Sequence, residues 1–141
     1  MKLKKEFFLI IFIILFIVIL EIITDKISNK SIDVIYKNIE HINILLEEVR
    51  IKKEENILQK REKENVEENI KKIKNEWLAE KDKLSYFTEH DELEKITKCI
   101  YVLEENAKNE EYLKSLEDCK EFVYWLDIVK EKDSLKLKNI F

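Results

Sequence analysis

Residues 7–23 read FFLIIFIILFIVILEII: fourteen consecutive apolar side chains, one glutamate, then two isoleucines. At about 1.5 Å of rise per helical residue the run is roughly 25 Å long, enough to cross the hydrocarbon core of a bilayer. Its apolar side chains cover every face of a helix, whereas a helix in a soluble core keeps one face polar. The reading is a transmembrane helix, and the rest of the chain is placed relative to it.

The segment reads as uncleaved. Signal-peptide cleavage needs small residues just beyond the apolar run. The chain has no glycine, its alanines are Ala79 and Ala107, and its first cysteine is Cys99. Lys2, Lys4 and Lys5 precede the run, whereas Glu21, Asp25 and Lys26 close it. The positive-inside rule then predicts a cytoplasmic N-terminus, a single-pass signal anchor and an extracytoplasmic C-terminal domain. Only Lys2, Lys4, Lys5, Glu6 and Glu21 of the charged residues lie before residue 24. That leaves 23 basic and 28 acidic side chains beyond it, a net −5. A mildly acidic domain argues against nucleic acid as a partner and against a basic patch for anionic lipid; the lipid bilayer is the predicted partner through the apolar run at 7–23.

The outer part is predicted to be all-α. Proline and glycine are both absent and 40 % of residues are charged, mostly Lys and Glu. Helices therefore meet no interior breaker, and tight hairpin turns lack the residue that best takes positive φ. Four apolar stripes recur at spacings of three and four. The first is Ile32, Ile35, Ile39, Ile42, Leu46 and Val49. The second is Val66, Ile70, Ile73, Trp77, Leu84 and Phe87. The third is Leu93, Ile96, Ile100, Leu103 and Ala107. The fourth is Tyr112, Leu116, Cys119, Val123 and Leu126, widened by Leu113, Phe122, Trp125 and Val129. The first stripe begins nine residues after the apolar run with no breaker between, so the membrane helix is predicted to continue into it. Boundaries are expected within Lys52 to Asn65, near residues 88–92 and near 108–110. Asp91 with Glu94 has the form of a capping box, and Asn109 is a candidate cap for the last helix.

The predicted organisation is a cytoplasmic N-terminus (1–6), a transmembrane anchor (7–23), an antiparallel three- to four-helix bundle (24–133) and a C-terminal strap (134–141). The alternation Leu135-Lys136-Leu137-Lys138 gives the strap an extended, strand-like reading. The rival is one long parallel coiled coil, as in an envelope or cell-division scaffold. Breaks in register and the broad, aromatic fourth stripe weigh against it.

Trp77 with Lys81 and Leu84, the run Phe87-Thr88-Glu89-His90-Asp91-Glu92-Leu93 and the ending Leu135-Lys136-Leu137-Lys138-Asn139-Ile140-Phe141 resemble the bacterial domain-of-unknown-function 4363 family. With the anchor, the resemblance covers nearly the whole chain. It implies a short single-span protein with a helical outer domain, and it lends no reaction. It further implies a multi-span membrane protein of the YetF type as a partner.

The candidate functional residues are few. His90 lies at a helix corner beside Glu89, Asp91 and Glu92; histidine with carboxylates can hold a divalent ion or sense pH. His90, Glu89 and Glu92 are thus weak metal candidates. The preferred reading is structural, with His90 bonding a backbone carbonyl and packing on Trp77 or Phe87. No metal or cofactor is assigned: the other histidine, His41, has no E-x-x-H partner, and no C-x-x-C-H motif exists. Cys99 and Cys119 lie about ten residues on either side of a turn near 109. A bridge there would close a loop of about 20 residues and add about 3 kcal/mol. The preferred alternative is two buried thiols acting as small hydrophobes. Tyr124 is expected to face outward from the Phe122-Val123-Tyr124-Trp125 run. Tyr124, Ile140 and Phe141 are the interaction candidates, the last two docking on a partner or on the bilayer.

No G-x-S-x-G, phosphate loop or H-E-x-x-H is present, so the chain reads as a non-enzyme. The expected role is a membrane-anchored accessory or interaction subunit of a membrane complex. The alternative is an extracytoplasmic sensor bundle for a small ligand or metal ion.

Overall fold

The computed structural model describes the backbone of residues 2–86 and 88–138. It comprises α1 (Lys2–Glu54), α2 (Lys60–Leu84), α3 (His90–Lys108) and α4 (Tyr112–Lys138). Each helix packs against its chain neighbours, and α4 closes the ring against α1. The result is an up-down-up-down four-helix bundle, and the parallel coiled coil is not formed. Phe87 of the second stripe lies outside the described residues.

The core is the predicted stripes turned inward. Ile32, Ile35, Ile39, Ile42, Leu46 and Val49 of α1 are all buried. So are Val66, Ile70, Ile73, Trp77 and Leu84 of α2, and Leu93, Ile96, Ile100, Leu103 and Ala107 of α3. The 3-4 spacing averages 3.5 residues, the period at which side chains interdigitate along nearly parallel helix axes. On α4 the buried line is Tyr112, Ser115, Cys119, Phe122, Leu126 and Val129, with Leu116 beside it. Leu113, expected to widen this stripe, is 64 % exposed because it lies on the opposite face of the first turn. At mid-bundle Trp77 and Phe122 meet edge to face, with ring centroids 6.2 Å apart. The buried indole Nε1–H of Trp77 donates to Thr97 Oγ1 (3.0 Å), whose hydroxyl donates to the Leu93 carbonyl (2.7 Å). The largest core side chain therefore hides no orphan donor.

α1 runs without interruption from the apolar segment into the core. Among the described residues one helix is long and apolar enough to cross a membrane, at Lys5–Ile23, and none of that window is buried. From Ile23 to the first core residue, Ile32, is about 13 Å of helix.

The turns show how a chain without glycine ends a helix. After α1, the Asn56 amide donates to Lys53 O (3.1 Å) and the Ile57 amide to Lys52 O (2.9 Å). After α3, the Glu110 amide donates to Ala107 O (3.0 Å) and the Glu111 amide to Asn106 O (2.9 Å). Both are Schellman closures, which need a left-handed residue that is usually glycine. Here the positions fall to Asn56 (φ 59°) and Glu110 (φ 57°). Lys53 and Lys63 both pair with Glu110, and Lys53 also donates to its carbonyl (2.7 Å), pinning the strained residue from two other helices.

Three local expectations are corrected. The Asp91–Glu94 capping box does not form, because α3 starts two residues earlier with Glu89 as N-cap and Glu94 reaches across to Lys81. The box forms instead at α2, where the Gln59 amide donates to the Glu62 carboxylate (3.0 Å). Asn109 caps the C-terminus of α3 and does not open α4. Over residues 134–138 the strap is not extended, since α4 stays helical through Lys138; residues 139–141 lie outside the described residues. Leucine and lysine are good helix formers, and adding residues to an existing helix costs far less than nucleating a new element.

Glycine at position 56 needs no strain to reach positive φ. Asn56→Gly is expected to stabilise the bundle by about 0.5–1 kcal/mol and Asn56→Val to destabilise it by at least as much. The difference is read from urea-unfolding midpoints followed by circular dichroism.

Candidate functional site

The His90 corner does not gather into a metal site. His90 is 76 % exposed on the first turn of α3, with Nε2 3.7 Å from the Glu94 carboxylate. At that exposure it is no part of the core that encloses the fully buried Trp77, and Phe87, its other expected packing partner, lies outside the described residues. Glu92 points the other way. It is buried and pairs with Lys132 of α4, which also approaches Glu89 at 3.8 Å. Those carboxylates, Glu92 foremost, hold the Lys132 ammonium above its ordinary value. A lysine thus occupies the place a cation would take. No group of three or more His, Cys, Asp or Glu side chains is arranged to hold a metal ion among the described residues.

Cys99 and Cys119 are both buried and both free thiols. Burial pushes each up to about 12, helped at Cys99 by Glu121 and Asp118 and at Cys119 by Asp118. At neutral pH neither supplies the thiolate that oxidation or alkylation requires.

The surface carries more information. Tyr124 is 59 % exposed and meets Trp125 edge to face, while Lys95 stands over the Trp125 ring at 4.2 Å. Ile140 and Phe141 lie outside the described residues. On α1 a second line, Val34, His41, Ile44 and Ile51, faces away from the core, with its three aliphatic members exposed. Beside it lies a shallow cleft of about 480 Å³ between α1 and α4. Ile39, Glu40, Asn43 and Ile44 line one side and Cys119, Lys120 and Val123 the other. The outer line repeats at the same period as the core stripe, so the signal was in the sequence, overshadowed by the stronger inward one.

Ion pairs ring the helices and set which neighbours touch. Lys52 with Glu62 joins α1 to α2, Lys74 and Lys81 with Glu104 and Glu94 join α2 to α3, and Lys130 with Asp33 joins α4 to α1. Lys52, Lys81, Lys74 and Lys63 respectively hold the Glu62, Glu94, Glu104 and Glu110 carboxylates below their ordinary value. Their contribution is therefore complete above about pH 4.5 and is lost as pH falls through the lowered folded-state values. Asp118 runs the other way, since burial raises it, but it is one group against four. Stability is expected to fall as pH drops below about 4.5. Glu104→Gln should lose about 1–2 kcal/mol at pH 7, its carboxylate being the least exposed of the four, and progressively less as pH falls below about 4.5. Urea midpoints of both proteins across that range check this.

Comparison with known proteins adds one finding. A family model described as a domain of unknown function, DUF4363, matches residues 26–140. The match begins three residues beyond the span and takes in the whole bundle. No curated protein and no solved structure matches the chain. With more than three quarters of its length covered, the chain belongs to the DUF4363 family.

Proposed function

We propose that this protein is a membrane-anchored accessory subunit whose bundle stands outside the cytoplasmic membrane and holds a partner in the same bilayer. The observation that carries the reading is α1: the helix that contains the candidate span is the same helix that supplies one quarter of the core. A bundle mounted in this way has a fixed height above the bilayer, which suits a partner that is itself embedded. The lysines before the span set the N-terminus inside. The exposed line Val34, Ile44 and Ile51 and the ring of Tyr124 provide apolar contact on faces the core does not use. A multi-span membrane protein is the partner class that fits, and no chemical step is assigned to the chain.

Asn56→Cys places an exposed thiol at the far end of the bundle, while Cys99 and Cys119 stay buried. A membrane-impermeant maleimide is expected to label this variant in intact cells; labelling only after lysis would overturn the orientation. In the same cells a photo-crosslinking side chain at Ile44 should give a defined adduct with a membrane protein, and one at exposed Lys72 should not. Absence of an adduct from both Ile44 and Tyr124 counts against the accessory role.

A further inference from the structure

The ion pairs between helices fix the height of every element along α1. On the α4 side, the Tyr36 hydroxyl donates to the Asp127 carboxylate, and Lys130 Nζ lies 3.1 Å from Asp33 Oδ1. Three residues down α1 correspond to three residues up α4, as antiparallel neighbours require. In that register the backbone of Lys138, still helical, is level with Asp25. On the α2 side, Lys52 pairs with Glu62, and Asn38 Nδ2 donates to Glu76 Oε2 at 2.6 Å. Fourteen residues separate the two pairs on each helix. Tyr86, just past the end of α2, is therefore level with Ser28.

The candidate span ends at Ile23. The end of α4 is thus about 3 Å, and Tyr86 about 7–8 Å, beyond the last span residue along the helix axis. The headgroup layer on each side of a bilayer is about 5–8 Å thick. A tilt of about 20° moves a neighbouring helix, about 10 Å away, by only about 3–4 Å relative to that layer. Both features therefore fall at headgroup depth. Tyr86 is 83 % exposed, the most exposed of the large apolar and aromatic side chains described. Tyrosine is among the residues that favour the membrane–water interface, having an apolar ring and a polar end. Beyond Lys138 the sequence continues with Asn139, Ile140 and Phe141.

We propose that the base of the bundle is a second membrane-contact surface, with the α2–α3 turn at Tyr86 and the C-terminal end of α4 seated among the lipid headgroups of the bilayer that α1 crosses. The proposal rests on the reading of α1 as a membrane span. The bundle is then held at more than one point and cannot swing about its anchor.

Full-length protein is reconstituted in phosphatidylcholine vesicles containing a nickel-chelating lipid. Nitroxides are placed singly through Tyr86→Cys, Lys138→Cys, Asn56→Cys and Phe16→Cys, with unsubstituted protein as the blank for the two buried thiols. Headgroup nickel is expected to relax the labels at 86 and 138 at least about fivefold more than the label at 56, while the label at 16 is reached by oxygen and not by soluble nickel. If 86 and 138 respond like 56 while 16 remains in lipid, the contact surface is refuted and the anchor stands. If 16 is reached by soluble nickel, the anchor reading fails and the proposal falls with it.

Discussion

Between Ile23 and Ile32 the first helix changes surroundings without changing its backbone. Before that point every face is apolar; after it, the buried part is one stripe of six residues. No glycine or proline interrupts the passage. The remaining three helices have no seam of their own to complete a core without this stripe, because each buries its apolar line only by facing its neighbours. The continuity of α1 therefore sets both where the bundle stands and what it is built around.

The ring closes where α4 returns to α1, and its specificity comes from charge more than from shape. The inward stripes are similar lines of aliphatic residues that would tolerate sliding by a heptad. The paired residues do not slide: Asp33 with Lys130, Lys52 with Glu62, and Lys74 with Glu104 each match in one register. The exposed pairs, such as Asp33 with Lys130, contribute about 0–1 kcal/mol each, so their value lies in excluding alternatives; Lys74 with Glu104 is more buried and adds stability as well. Trp77 adds a second restriction from inside, since its indole finds its acceptor only at Thr97.

Much of this was legible in the sequence. The apolar run, the four stripes and the placing of Cys99, Cys119, Phe122 and Tyr124 follow from periodicity, which depends on burial alone. The helix ends were harder. Asp91 and Glu94 have the letters of a capping box, yet Glu94 is taken by Lys81 from the neighbouring helix, a contact that no local pattern reveals. Asn56 and Glu110 occupy positions that glycine normally marks, and a chain without glycine gives no such mark. The alternation at Leu135–Lys138 resembled a strand because four residues are too few to separate the two periods, and the helix already running through α4 decided the matter. At the His90 corner residues two apart on a helix point to different sides, so His90 faces solvent while Glu92 turns to Lys132.

The DUF4363 match covers the helical bundle, the candidate span lies just before it on the same helix, and the proposed role follows from how the two are joined. That junction is tested most directly by amide hydrogen exchange on the full chain in lipid nanodiscs, read over residues 24–31. The account predicts protection there comparable with that of the Ile32–Val49 segment, as for one unbroken helix. Exchange at the rate of an unstructured peptide between Ile23 and Ile32 would mean that the bundle hangs from a linker, and would contradict it.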